Sequence, residues 1–166
     1  VRVNGELIEQ GNIFLFFTDK RWYSSLPVHL ITRFENSGTV HIQPDGTIRL
    51  TSMFGRKVAE LSVNEEESNV LPSTKRRYVS IWQKRELSKD TPEIIKEFRN
   101  FGFGRYQAAL TLTYGTANVT QDGQLSFWVI PWQLLLVFLA VLIVLRFFIK
   151  RYNAAVVKSA QKRSSR

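Results

Sequence analysis

The sequence predicts a mainly β chain of the sandwich or barrel class with one short crossover helix, followed by a single C-terminal transmembrane helix and a basic tail. Three observations carry that expectation. Between Asp122 and Arg146 lie 23 residues without a charge, GQLSFWVIPWQLLLVFLAVLIVL. Ahead of them, short alternating runs are separated by turn residues, the texture of half-buried strands. The basic residues crowd the far end: of 23 Lys and Arg, seven lie at Arg146 or beyond it, and no acid accompanies them.

Taken in chain order, VHLITRFEN (28–36) alternates, with Val28, Leu30, Thr32 and Phe34 on one face. Ser37-Gly38 is read as a turn into TVHIQP, and Pro44-Asp45-Gly46 as a tight hairpin turn, since Asp and Gly tolerate left-handed conformations. TIRLTSMF (47–54) and RKVAELSV (56–63) follow around Gly55, and the polar run NEEESN (64–69) is a loop. RRYVSIWQ (76–83) is the next strand, setting Tyr78, Ser80 and Trp82 against Val79 and Ile81.

The period then changes. Over residues 88–101, Thr91 is placed to cap a helix, Pro92 suits its first position, and Ile94, Ile95 and Phe98 form an apolar face. GRYQAALTLTYG (104–115) returns to strict alternation, with Tyr106, Ala108, Leu110, Leu112 and Tyr114 together. QLSFWVIP (124–131) is the last strand and runs into the apolar segment at Pro131. GNIFLFF (11–17) is too short for a signal sequence and meets Asp19, Lys20 and Arg21 at once. An exported domain needs a signal, so the expectation is a processed chain or the C-terminal part of a longer one.

The apolar segment exceeds the roughly 20 residues that cross a hydrocarbon core of about 30 Å. Phe127, Trp128 and Trp132 precede it, rings suited to one headgroup layer; Arg146, Lys150 and Arg151 follow it. The positive-inside rule puts the basic end in the cytoplasm and the N-terminal domain outside. Arg146 is expected to snorkel to the inner interface, with a buried-charge role as the alternative. Only Ala140 is small between Pro131 and Lys150, and no GxxxG pattern marks a close-packed helix dimer. Tyr152, Val156, Val157 and Ala160 among basic residues would prolong the helix along the inner surface. The organisation is therefore an extracytoplasmic domain over 1–125, a strand end and membrane helix over 126–149, and a basic cytoplasmic tail over 150–166.

Residues 1–125 hold 16 basic and 14 acidic side chains, so the high pI belongs to the tail, and no nucleic-acid partner is expected. There is no Cys, which rules out a disulfide framework or thiolate metal site and fits a bacterial or archaeal exterior. His29 and His41 lie on what read as neighbouring strands, but two histidines do not complete a metal site, and no metal or cofactor is expected. No nucleophile-elbow sequence is present, and GFG (102–104) precedes a strand where a dinucleotide fingerprint opens a helix. Those glycines allow a tight approach, leaving Tyr106 to tie a structural corner with its hydroxyl. Glu65, Glu66 and Glu67 lack the alternating spacing of a calcium loop and read as solvated charge, with Lys75, Arg76 and Arg77 near enough to neutralise them or to meet an anionic polymer. Asn118-Val119-Thr120 is a glycosylation tripeptide in a polar loop.

The order PVHLITRFENSGTVHIQPDGTIRLTSMFGRKVAELSVN, NVLP, FGFGRYQAALTLTYG, short strand and anchor resembles the membrane-proximal immunoglobulin-like domain of bacterial WxL-associated cell-surface proteins, over residues 27–166. The resemblance implies an immunoglobulin-like β-sandwich and an earlier module upstream. Together these readings lead to the expectation of a non-enzymatic, membrane-anchored surface module for attachment, envelope contact or display. Its partners would be the lipid bilayer and a cell-envelope polymer. The alternative is a single-helix accessory subunit of an integral membrane complex, whose β domain caps the outer face.

Overall fold

The computed structural model describes residues 6–88 and 90–164, with side chains through Asn153. It divides into two compact units, Val1–Pro131 and Trp132–Arg166. The first runs β1 (Gly11–Thr18), β2 (Trp22–Tyr23), β3 (Val28–Asn36), β4 (Asp45–Ser52), β5 (Lys57–Ser62), β6 (Thr74–Trp82), α1 (Glu93–Arg99), β7 (Gly104–Tyr114) and β8 (Val119–Val129). The second is one helix, α2 (Trp132–Ser164).

The strands form a three-stranded sheet ordered β1-β3-β6 and a five-stranded sheet ordered β2-β8-β7-β4-β5. Neighbours are antiparallel except β2, which runs parallel to β8 through Trp22↔Trp128 and Tyr23↔Val129. The two sheets share one core. Phe34 of β3 meets Tyr114 of β7 at 5.2 Å, and Trp82 of β6 meets Tyr106 of β7 at 4.9 Å, both edge to face. Alternation builds this core as the sequence predicts: Tyr106, Ala108, Leu110, Leu112 and Tyr114 of β7 are all buried, as are Tyr78, Ser80 and Trp82 of β6. Each wholly buried Leu or Phe there stabilises the unit by about 1.5–3 kcal/mol.

Where the structure departs from the sequence reading, side-chain amides are the usual reason. Residues 37–44 do not form a hairpin. They cross from one sheet to the other, and of the expected strand TVHIQP only Ile42 bridges, to Val70. Asp45 and Gly46 are the first residues of β4 rather than a turn tip. The buried Asn36 amide holds the crossover, donating to the Val40 and Val70 carbonyls (2.8 and 2.9 Å) and accepting from Gly38 N–H (2.9 Å). Asn64 holds its other end, donating to the Pro44 and Ser68 carbonyls at 2.8 and 3.0 Å.

The helix α1 does cross between sheets, from β6 to β7. Pro92 rather than Thr91 occupies its N-cap, with no side-chain capping bond. The expected apolar face is turned out: Ile94, Ile95 and Phe98 are exposed, while Glu97 is buried. Asn100 explains the reversal. Its amide exchanges two hydrogen bonds with the Arg85 backbone (2.9 and 3.0 Å), drawing the Asn100 side inward. Glu97, three residues earlier, shares that side.

Two strands escape the sequence reading altogether. GNIFLFF lies within β1, paired along β3 from Gly11↔Asn36 to Thr18↔Leu30. It is also bolted to the opposite sheet. The Tyr114 hydroxyl donates to the Gly11 carbonyl at 2.6 Å, and the Gln121 amide donates to that carbonyl and accepts from Ile13 N–H. β2 has only two residues. β8 begins at Val119, five residues before the expected start at Gln124, and pairs with the whole of β7.

Candidate functional site

The helix α2 contains a segment, Trp132–Asn153, of 22 residues that is long and apolar enough to cross a membrane. At 1.5 Å per residue it measures about 33 Å, the thickness of a hydrocarbon core. None of its most apolar window is buried within the chain. Leu136, Phe138, Ile143 and Phe148 are all more than half exposed. A continuous apolar surface of this size is not stable against water and calls for a cover of lipid or protein. Arg146, Lys150 and Arg151 are exposed on the same helix, and the Arg151 guanidinium lies 5.7 Å from the Phe147 ring centre. The backbone stays helical through Tyr152 to Ser164, and the side chains of Val156, Val157 and Ala160 lie outside the described residues.

The rings ahead of the helix divide. Phe127 is not an interface residue: it is wholly buried, 5.8 Å from both Tyr23 and Tyr106 and 6.1 Å from Trp82. Its β8 register opposite Tyr106 turns it inward, so no headgroup layer reaches it. Trp128, one residue on, faces out and stacks on Trp22 at 5.7 Å with planes 14° apart. Trp132, the first residue of α2, is exposed.

Tyr106 is buried, and its hydroxyl accepts the Phe103 backbone N–H at 3.2 Å. The glycines before it make room. Gly104 has φ +103°, a conformation that L side chains rarely adopt, and any Cβ there would overlap the Met53 sulfur. A Cβ on Gly102 would press on Val129 at 3.1 Å.

Tyr23 anchors the short β2 segment. Its hydroxyl donates to Asp19 at 2.5 Å and accepts from Lys20 N–H at 3.1 Å. Burial, reinforced by the Asp19 carboxylate, holds this phenol well above its ordinary value of 10.0.

The remaining polar candidates are dispersed. His29 lies 3.8 Å from Asp19, at the end of β3 paired with Ile81, while His41 is exposed in the 37–44 crossover, so the two do not face each other as neighbouring-strand residues. Among the described residues no three His, Cys, Asp or Glu side chains are grouped to hold a metal ion. Glu65, Glu66 and Glu67 are exposed in their loop. The basic run does not pair with them: Lys75 meets Glu35 at 3.5 Å and covers the Phe14 ring, and Arg76 donates to the Asn69 carbonyl at 2.9 Å. An open groove of about 440 Å³ runs between the edge strands β5 and β6, lined by Ser62, Glu65, Arg76, Tyr78 and Ser80 among others. Asn118 is exposed in the turn between β7 and β8, with φ 51°.

No protein-family model matches the chain, and no curated protein matches it. Among solved structures it is similar to a Paenibacillus sp. cycloisomaltooligosaccharide glucanotransferase complexed with cycloisomaltoheptaose, at 15% identity and a TM-score of 0.48. That likeness covers 74% of this chain and 14% of the other, and nothing about activity follows from it.

Proposed function

We propose that the chain is a membrane-anchored surface module: an immunoglobulin-like β-sandwich carried outside the membrane by one helix, with the basic tail in the cytoplasm. It does no chemistry of its own and serves attachment, envelope contact or display. The observation that carries this reading is the helix Trp132–Asn153, whose exposed apolar surface starts two residues after the last strand of the β unit. The seven basic residues at and beyond Arg146, with no acid among them, favour the cytoplasmic side for that end.

Two features of the β unit support the immunoglobulin-like part. The sheet β1-β3-β6 has the order of strands A, B and E of that fold, and β8-β7-β4-β5 that of G, F, C and C′. Tyr106, near the start of the F-like strand, bonds the backbone three residues upstream, in the manner of a tyrosine corner. Bacterial origin and the WxL-associated class rest on the sequence resemblance alone.

Blue-native electrophoresis of gently solubilised membranes tests the assignment. A free module migrates near the mass of this chain, 19.2 kDa plus detergent. Co-migration with a large assembly instead makes it an accessory subunit of a membrane complex.

A further inference from the structure

One end of the β unit differs from the other. Along β7 and β8 the register runs from Gly104↔Val129 at one end to Tyr114↔Val119 at the other. The Gly104 end gathers the turn after β4, the two-residue β2, and the loop between α1 and β7. Trp22, Met53, Phe54, Phe101, Phe103 and Trp128 are all exposed there, Phe54 to 77% and Trp22 to 57%. They come from four separate stretches of sequence and converge only through the fold. Lys20, Arg21, Arg56, Lys84, Arg85 and Arg105 are exposed around them, against Asp19, Glu86 and Asp90 in the same loops. At the Tyr114 end the 115–118 turn and the 64–69 loop expose Thr116, Asn118, Glu65 and Glu66, and the exposed apolar side chains there, Leu7, Ile8 and Leu71, are aliphatic rather than aromatic.

We propose that this aromatic end of the β unit is a lipid-docking surface that sits in the phospholipid headgroup layer and fixes the orientation of the unit on the membrane. The inference rests on the membrane-anchored reading above and extends it to a specific surface. Two independent facts commit the occupant to lipid. Only Ile130 and Pro131 separate β8 from α2, so the chain enters the bilayer from the Val129 end of the sheet. The composition of that end then matches a headgroup layer: amphipathic Trp and apolar Phe and Met to enter the interface, with Arg and Lys around them to meet phosphates. The stacked pair Trp22–Trp128 sits at the strand end nearest the entry point in sequence. The Tyr114 end, which carries no amphipathic Trp, is thereby turned away, presenting the 115–118 turn and the 64–69 loop to the exterior.

The test uses the full chain, which contains no Cys, in phosphatidylcholine–phosphatidylglycerol vesicles. Single cysteines at Phe54, Phe101, Ala117 and Ile143 carry an environment-sensitive fluorophore, and lipids with a nitroxide near the headgroup or deep in the acyl chain act as quenchers. Quenching of 54 and 101 by the shallow nitroxide, with 117 unaffected and 143 quenched by the deep one, is the expected result. With the probe at 54, replacing Phe101 and Phe103 by Ser weakens the quenching. If 143 is quenched while 54 and 101 stay as bright as 117, the docking surface is overturned and the anchored reading stands. Cross-linking of 54 or 101 to another protein in native membranes, without quenching in vesicles, likewise overturns lipid as the occupant. An unquenched 143 overturns both readings together.

Discussion

The Tyr106 hydroxyl lies 3.2 Å from the backbone nitrogen of Phe103 and accepts its hydrogen, while the Tyr106 ring stacks on Phe127 and meets Trp82 edge-on. One side chain thus closes the loop entering β7 and fills the core beneath it. Tyr106→Phe keeps the ring and removes the bond, which costs about 0.5–1.5 kcal/mol, and more if the Phe103 N–H is left dry. Tyr106→Ala removes the ring from a close-packed site and costs about 3–5 kcal/mol. Thermal melts of both variants check this. Parent-like melting of the Ala variant would mean that the ring is not part of the core.

The crossover between β3 and β4 depends on two buried amides. Asn36→Ala leaves the Val40 carbonyl without its partner and takes one of two bonds from the Gly38 N–H and the Val70 carbonyl, which keep Gln10 and Ile42, while Asn64→Ala strands the Pro44 carbonyl and the Ser68 N–H. Each substitution is expected to destabilise the unit by about 1–3 kcal/mol, the cost of stranding buried polar groups. Denaturant midpoints measure it. Substitution of Asn69, an exposed neighbour in the same loop, is the comparison that should stay near the parent.

Alkaline pH should weaken the unit through Tyr23. Its folded phenol titrates above the unfolded value of 10.0, chiefly because burial disfavours the phenolate. The contribution is therefore fully present below pH 10, and it is lost as pH rises from there through the folded value. Tyr23→Phe reduces this dependence, leaving the part that comes from Tyr78, whose phenol burial also raises, and costs about 0.5–1.5 kcal/mol at neutral pH for the lost bonds. Stability measured against pH from 8 to 11 in both proteins tells whether Tyr23 is responsible. Parallel curves would assign the alkaline loss to other groups.

The N-terminal strand is structural, so the domain cannot be trimmed to the region of sequence resemblance that begins near residue 27. Removing residues through Thr18 strips β3 of its outer neighbour and leaves Tyr114 and Gln121 without the Gly11 carbonyl. A chain starting at Asp19 should show poor chemical-shift dispersion and rapid amide exchange in β3. Native-like exchange protection there would show β1 to be dispensable.

What the sequence made legible follows the purity of its patterns. In β7 every second residue from Tyr106 to Tyr114 is buried, and that alternation is visible without coordinates. β1 hides because Phe14, Leu15, Phe16 and Phe17 are apolar on both faces, which erases the period of two and mimics a truncated signal sequence. Phe127 hides for the opposite reason: it adjoins an apolar helix and looks like part of it. Yet alternation with Leu125 and Val129 was there to be read, and it separates Phe127 from the outward Trp128. The 37–44 crossover was beyond local rules, because Pro44-Asp45-Gly46 carries a turn signature and the amides that override it act across the fold. The aromatic end is invisible to any window of sequence, since four distant segments compose it.

The central claim is that the β unit lies outside and the basic tail inside a membrane spanned by Trp132–Asn153. Its most direct test labels single cysteines at Ala117 and at Ser159 with a membrane-impermeant maleimide in intact cells. The cysteine at 117 should label at once, and the one at 159 only after permeabilisation. Labelling at 159 without labelling at 117, or recovery of the chain in the soluble fraction, would contradict the account.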